Sequence, residues 1–88
     1  MLDPSDGEPH YLLGMLSVKN KDMQSALKHF EDCVLNQPNH VAALNGLGMI
    51  ALRTKNFPVA LDYFSKAEKA DQENDTVLYN LGLTLARL

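Results

Sequence analysis

Two stretches of the chain, 34 residues apart, share one pattern. Residues 10–33 read HYLLGMLSVKNKDMQSALKHFEDC, and residues 44–67 read LNGLGMIALRTKNFPVALDYFSKA. Both contain Leu-Gly-Met, a central lysine, an Ala-Leu pair and a later phenylalanine at the same places. Self-similarity at a fixed period of this length is the signature of repeat architectures, in which each unit buries its apolar face against its neighbours. The sequence therefore predicts stacked units rather than one central core.

The 34-residue period extends along the chain. The identical residues that it aligns are Pro4 with Pro38, Leu13 with Leu47 and Leu81, Gly14 with Gly48 and Gly82, Met15 with Met49, Lys21 with Lys55, Ala26 with Ala60, Leu27 with Leu61, Phe30 with Phe64, Leu44 with Leu78, and Arg53 with Arg87. A third copy of the first half of the unit is thus predicted near the C-terminal end.

Each period contains two apolar patterns of helical spacing with a short polar break between them. We predict helices at 8–20, 23–36, 42–54, 57–70 and 76–88, to within two or three residues. Asp22 and Asn56 precede the second helix of each pair and are good N-cap residues. Pro58 falls in a first turn, where its missing N–H does no harm.

Small and aromatic residues recur at predicted helix contacts. They are Gly14, Gly48 and Gly82 in the first helices, and Ala26, Ala60, Phe30 and Phe64 in the second helices. A glycine inside a helix costs about 1 kcal/mol relative to alanine, so close packing against the alanines of the partner helix is the expected compensation. The phenylalanines are expected to fill the larger space between successive pairs.

This pattern resembles the tetratricopeptide repeat (TPR). The residues that carry the resemblance are Leu13-Gly14, Ala26, Phe30, Cys33 and Pro38, and again Leu47-Gly48, Ala60, Phe64 and Ala67. The resemblance implies an all-α solenoid of antiparallel helix pairs, about two and a half units in a right-handed superhelix. It divides the chain into 1–7, a tail of a preceding repeat or an N-terminal extension; 8–40, the first repeat; 41–74, the second; and 75–88, the first helix of a third or a capping helix.

The composition argues against several classes of function. The chain has 88 residues, 45% hydrophobic and 22% charged, with a net charge of −3. An acidic chain lacks the basic excess that binds nucleic acid, which also disfavours the pentatricopeptide repeat, an RNA-binding family of similar period. No apolar run is long enough to insert in a membrane. We expect no cofactor, and Cys33 is expected to be a buried, inert thiol.

No catalytic constellation is evident, so we predict a non-enzymatic protein without catalytic, cofactor-binding or metal-binding residues. His10, His29 and His40 fall on different elements, and no nucleophile has a base placed by a recognisable motif. Two i,i+4 ion pairs are predicted on second helices, Lys28 with Asp32 and Asp62 with Lys66.

The resemblance implies that the first helices line a concave groove that binds partner proteins. The groove residues carried over are Tyr11, Met15, Val18 and Lys19, then Asn45, Met49, Leu52 and Arg53, then Tyr79, Asn80, Leu83, Ala86 and Arg87. A methionine-containing apolar floor suits adaptable peptide contacts. Lys19, Arg53 and Arg87 form a cationic row that fits acidic groups of a peptide, although stabilisation of helix C-termini would also select these cations.

One particular family activity is not matched. Some TPR proteins clamp the C-terminal carboxylate of chaperones with Lys, Asn and Arg side chains. The residues at five of the clamp positions differ from these in this chain, and they are Tyr11, Met15, Gly46, Tyr79 and Leu83. We therefore predict a module that binds a peptide or helix of a partner protein, with hydrophobic and acidic residues in that partner.

Two alternatives remain open. The chain is a structural spacer or self-assembly unit, or it is the recruiting arm of an enzyme encoded elsewhere in a longer protein. The last predicted helix keeps apolar residues with no second helix to cover them. We expect the 88 residues to be a segment of a longer array, or the open end to pair with another copy.

Overall fold

Five α-helices make up the fold. The computed structural model describes residues 7–88, and its helices are α1 Glu8–Lys19, α2 Met23–Asn36, α3 Val41–Arg53, α4 Phe57–Ala70 and α5 Asp75–Arg87. Each predicted helix is confirmed, with bounds that differ by at most one residue. The expectation about Pro4 and the N-terminal tail lies mostly outside the described residues, and the predicted repeat boundaries stay a prediction.

The turns inside the two helix pairs have the same geometry. Lys21 and Lys55 both adopt left-handed backbone, with φ of 62° and 61°. The next amide reaches back over the turn in each case, from Asp22 N to Ser17 O and from Asn56 N to Ala51 O, both at 2.8 Å. A left-handed residue just past a helix satisfies carbonyls of its last turn. The lysine shared at the 34-residue period therefore marks the chain reversal.

The two predicted N-caps differ in the structure. The side chain of Asp22 accepts a hydrogen bond from Ser25 N at 3.2 Å, as predicted. Asn56 stands at the N-cap position of α4, as predicted, but its side chain makes no cap hydrogen bond. The side-chain caps of α2, α3 and α5 all bond the N–H of the third helical residue. The third residue of α4 is Val59, which keeps its N–H, so Pro58 at the second position does not account for the missing bond.

The carboxylate of Asp22 is also bonded by its neighbour's side chain. Ser25 Oγ donates to Asp22 at 2.7 Å. The hydrogen bonds from the Ser25 side chain and backbone hold the pKa of Asp22 below its ordinary value. Because the folded-state pKa is lowered, this cap is fully formed above the unfolded-state pKa and weakens as the pH falls through the folded-state value.

The helices form an elongated stack of 43 × 28 × 18 Å. The most extensive contacts are within the pairs α1/α2 and α3/α4, followed by those of α4 with α5 and of α2 with α3. Buried residues form three clusters along the stack instead of one centre, around Phe30 and Leu47, around Leu44 and Val77, and around Phe64 and Ala60. The apolar residues are thus divided among successive helix interfaces, as a repeat architecture requires.

Aromatic rings lie closest to Gly14, Gly46 and Gly48. A Cβ placed on Gly14 would lie 2.5 Å from the ring of Phe30, and one on Gly48 would lie 2.5 Å from the ring of Phe64. The expectation that Ala26 and Ala60 lie opposite the glycines stays a prediction, since the nearest atoms belong to the phenylalanine rings. A Cβ on Gly46 would lie 2.8 Å from the other edge of Phe30, so that ring fills the space between two successive pairs as predicted.

Cys33 occupies the small-residue position of α2. Its side chain has no exposed surface and packs in the same cluster as Ala26 and Phe30. The expectation of a buried thiol is therefore confirmed.

Candidate functional site

An apolar cleft lies between the first helices of the two pairs. Its volume is about 220 Å³, and its walls are Met15, Val18, Met23, Phe30, Gly46, Met49, Ile50 and Arg53. The exposed fractions of the Met15 and Met49 side chains, 47% and 44%, show that both methionines reach solvent at its rim. Of the residues predicted for a groove, Met15, Val18, Met49 and Arg53 are brought together here.

The cleft exists because α1 and α3 do not pack closely on each other. The two helices make few direct contacts with each other, and the ring of Phe30 from α2 lies between them at the floor of the cleft. Gly46 allows this approach, since any side chain there would collide with the ring. Met23, at the start of α2, completes the wall. Gly46 and Met23 were not predicted to be cleft residues. A signal for Gly46 was visible in the sequence, because glycine stands there whereas the equivalent residue one period earlier is Leu12.

The three cations at the 34-residue spacing occupy equivalent places. Lys19, Arg53 and Arg87 lie in the last turns of α1, α3 and α5, and all three are exposed. Within residues 7–88, none of them lies within 4.0 Å of a carboxylate. Arg53 borders the cleft itself, which places an unpaired positive charge beside an apolar recess.

Other predicted groove residues are partly engaged inside the protein. Asn80 is only 7% exposed, and its Nδ2 donates to Asn45 Oδ1 at 2.9 Å, which links α5 to α3. Asn45 Nδ2 in turn lies 3.9 Å from Met49 Sδ. These contacts fix the orientation of Asn45 beside Met49. They also leave little of the Asn80 side chain for a ligand, so its place in a groove stays a prediction.

The remaining predicted residues divide between core and surface. Tyr11 is half-buried, with its ring centroid 5.9 Å from that of Phe30 and 5.0 Å from that of His40. Leu52 is half-buried against the cluster around Phe64. Tyr79 and Leu83 on α5 are exposed by 70% and 36% and do not line the cleft between α1 and α3.

A histidine connects the start of α1 to the start of α3. His40 Nδ1 accepts a hydrogen bond from Ala43 N at 3.1 Å, which caps α3, and His40 Nε2 lies 2.9 Å from Glu8 Oε2. A neutral imidazole with its proton on Nε2 satisfies both contacts, since it then donates to the carboxylate and accepts from the amide. This bond holds the two pairs together at the end opposite the cationic row.

His10 and His29 lie next to each other, although the sequence places them on different helices. One ring nitrogen of each and a carboxylate oxygen of Asp32 lie within 4.8 Å of one another, and all three residues are half-buried. The sequence analysis overlooked this group. A signal was present, because His10 and Asp32 are equally distant from the turn at Lys21, and the two helices of an antiparallel pair bring such positions together.

The comparison with known families settles the class of the fold. The model for the family described as "Tetratricopeptide repeat" matches residues 11–75. The chain belongs to the tetratricopeptide repeat family. TPR units are in general non-catalytic protein-interaction modules, so the family supports a protein–protein interaction module as the general role of this chain. The resemblance drawn from the Leu-Gly, Ala and Phe positions is thereby confirmed.

Two curated TPR relatives are much longer than the chain. Tetratricopeptide repeat protein 6 of Homo sapiens is 39% identical over 61 residues, which cover 69% of this chain and 12% of that protein. Anaphase-promoting complex subunit 3 of Schizosaccharomyces pombe is 30% identical over 78 residues, which cover 89% of this chain and 12% of that protein. The chain spans about one eighth of the length of each relative.

Within residues 7–88, no TPR helix combines the length and the apolar character needed to cross a bilayer.

Proposed function

We propose that this TPR chain binds a peptide segment of a partner protein in the cleft between α1 and α3. The observation that carries the proposal is the joint exposure of Met15 and Met49 above the buried ring of Phe30, with Arg53 at the rim. A small apolar recess with a few polar groups at its edge is the usual form of a recognition site. Methionine side chains adapt their shape to different apolar ligands.

The charges around the cleft favour a particular kind of peptide. Arg53 lies beside the recess, and Lys19 and Arg87 lie at the same ends of the neighbouring first helices. A peptide that places one apolar side chain between the methionines and carries Asp or Glu next to it would meet both features. Complementary charge of this kind raises the association rate and selects among partners. The partner segment is therefore an acidic peptide with an apolar anchor.

The test selects ligands from a random peptide library displayed on phage and measures synthetic copies of them by fluorescence anisotropy. We expect the selected peptides to share an apolar residue next to acidic ones. Met49→Glu and Arg53→Glu are each expected to weaken binding at least about tenfold, which corresponds to about 1.4 kcal/mol.

Two control variants isolate the cleft. Val59→Glu places the same new charge on an exposed apolar residue of α4, and Lys28→Glu makes the same charge reversal on α2, both outside the cleft. Each is expected to leave affinity within a factor of about two, since surface changes away from an interface have small effects. Selected peptides without acidic residues, or equal losses in Val59→Glu and Met49→Glu, would contradict the proposal.

We infer a second candidate function, stacking onto further helices as a spacer or self-assembly unit. Residues that are one period apart differ in exposure at the two ends of the stack. Leu16 on α1 is 54% exposed, whereas its equivalents Ile50 and Thr84 are 8% and 0% exposed. On α5, Leu78 is 42% exposed, whereas its equivalent Leu44 is 2% exposed. Apolar positions that are buried on the inner helix α3 are therefore exposed on the end helices α1 and α5.

The oligomeric state as a function of concentration tests this second candidate. Sedimentation velocity is expected to show association that Leu16→Glu and Leu78→Glu each reduce, because a charge on either apolar face opposes its burial. Arg53→Glu with Arg87→Glu is expected to leave the association unchanged while peptide binding is lost. A strict monomer at every concentration would exclude self-assembly.

A further inference from the structure

We propose that His10, His29 and Asp32 form a binding site for a divalent transition metal, best suited to Zn²⁺. The site lies between α1 and α2, in the first helix pair. His10 stands in the first turn of α1, and His29 and Asp32 are three residues apart on α2, so that both project from the same side of that helix. The antiparallel pairing of the helices brings the three side chains together.

The distances between the ligand atoms suit one shared ion. One nitrogen of each imidazole and one carboxylate oxygen lie within 4.8 Å of one another. In a tetrahedral zinc site with bonds of about 2.0–2.1 Å, ligand atoms are about 3.4 Å apart. Each pair of ligand atoms would have to approach by no more than about 1.4 Å to reach the tetrahedral spacing. Rotation of half-buried side chains closes this difference without a backbone movement.

The hydrogen bonding of the two histidines supports the same conclusion. His10 Nδ1 and His29 Nδ1 are buried, and neither has a hydrogen-bond partner. Buried polar atoms are nearly always bonded, and an exception calls for an explanation such as an absent water or ion. Two orphaned imidazole nitrogens among three grouped potential metal ligands are an unusual concentration of such exceptions. His40 provides the contrast within this chain, since both of its nitrogens are engaged by Ala43 and Glu8.

Asp32 is also available to a metal. The sequence suggested an ion pair between Lys28 and Asp32, but the ion pairs among residues 7–88 include Asp62 with Lys66 at 3.2 Å and not Lys28 with Asp32. The Asp32 carboxylate is therefore not held by that lysine. It lies instead near the two histidines, where it adds an oxygen ligand to two imidazole nitrogens.

The chemistry of the donors selects the ion. Two imidazoles and one carboxylate are ligands for Zn²⁺ and other transition metals, whereas Ca²⁺ and Mg²⁺ require sets composed mainly of oxygen. Three protein ligands leave one tetrahedral position for water or for a group from another molecule. An ion held here would connect α1 to α2 beside the cluster of Phe30, and it would stabilise the first repeat because it binds only the folded chain.

The experiment adds ZnCl₂ to the metal-free full chain, with isothermal titration calorimetry and thermal unfolding as two readouts. We expect one ion per chain, and an unfolding midpoint that rises by roughly 10–20 °C at a free zinc concentration 100 times the Kd. A Co²⁺-loaded sample is expected to show the intense visible absorption of a tetrahedral site, a signature that loosely bound surface ions do not give.

Matched variants locate the ion. His10→Asn, His29→Asn and Asp32→Asn are each expected to reduce affinity by more than the roughly 10- to 100-fold that loss of an outer-shell partner costs. His40→Asn removes the third histidine, keeps a good N-cap residue, and is expected to retain the wild-type affinity. Circular dichroism establishes that each variant is folded. A stoichiometry above one, no binding below millimolar zinc, or equal losses in His40→Asn and His29→Asn would overturn the proposal.

Discussion

Replacing Phe30 with alanine is expected to lower the free energy of unfolding by about 3–5 kcal/mol. The ring is 1% exposed and lies against three helices, its own α2 and the glycines Gly14 of α1 and Gly46 of α3. Removing it leaves a cavity that cannot collapse easily, because Gly14 and Gly46 on the flanking helices have no side chains that could move into it. Tyr11 also loses its aromatic neighbour.

Urea unfolding followed by far-UV circular dichroism measures this loss. Leu35→Ala on the same helix is the control, since that side chain is 79% exposed and its removal is expected to change stability by less than about 0.5 kcal/mol. Small domains are stable by only about 5–15 kcal/mol, so Phe30→Leu provides a milder variant if the alanine protein is largely unfolded. A loss for Phe30→Ala no greater than that of Leu35→Ala would show that the ring does not separate the helices.

The order and bounds of the helices were predictable because they depend on local features that the period repeats. Apolar spacing, the polar breaks and the lysine at each turn are all visible in the sequence, and each corresponds to a helix or a chain reversal in the structure. The family was predictable for the same reason, since Leu-Gly, Ala and Phe recur at fixed intervals.

What the sequence did not reveal are contacts between residues that come from different helices. The closest neighbour of Gly14 is the ring of Phe30, whereas the sequence pattern pointed to Ala26. The grouping of His10 with His29 depends on the rotation of α2 about its axis, which an apolar period fixes only roughly.

The predicted groove shows the same division. The cleft brings together Met15, Met49 and Arg53, which the period places on equivalent faces of α1 and α3. Asn80 was predicted to be part of that surface but bonds Asn45 inside the stack. Residues one period apart lie on the same face of their helices. Their exposure, however, depends on which residues pack beside them, and those residues differ from one repeat to the next.

Alanine substitutions at two equivalent glycines are expected to have opposite effects on stability. Gly48→Ala places a methyl group 2.5 Å from the ring of Phe64, which has no exposed surface and no space to move into. Overpacking of this kind costs about 1–3 kcal/mol, and the better helix propensity of alanine offsets up to about 1 kcal/mol of it. We therefore expect a net loss of about 1–2 kcal/mol in urea unfolding.

Gly82→Ala is expected to raise stability by up to about 1 kcal/mol, because a Cβ at this position meets nothing within 4 Å. The two substitutions are chemically identical and one period apart, so the difference in sign measures the presence of an aromatic ring from a covering helix. Gly14→Ala, which would meet Phe30, is expected to behave like Gly48→Ala. If Gly48→Ala were as stabilising as Gly82→Ala, Phe64 would not be packed as described.

The concentration dependence of the Gly82→Ala effect carries the argument one step further. If a helix from a second copy covered α5, it would lie against the face that Leu78 and Gly82 share, as α4 does against α3. The added methyl group would then hinder that contact, and the gain in stability at low protein concentration would turn into a loss at high concentration. A gain that is constant at every concentration shows instead that this face of α5 stays open in the isolated chain.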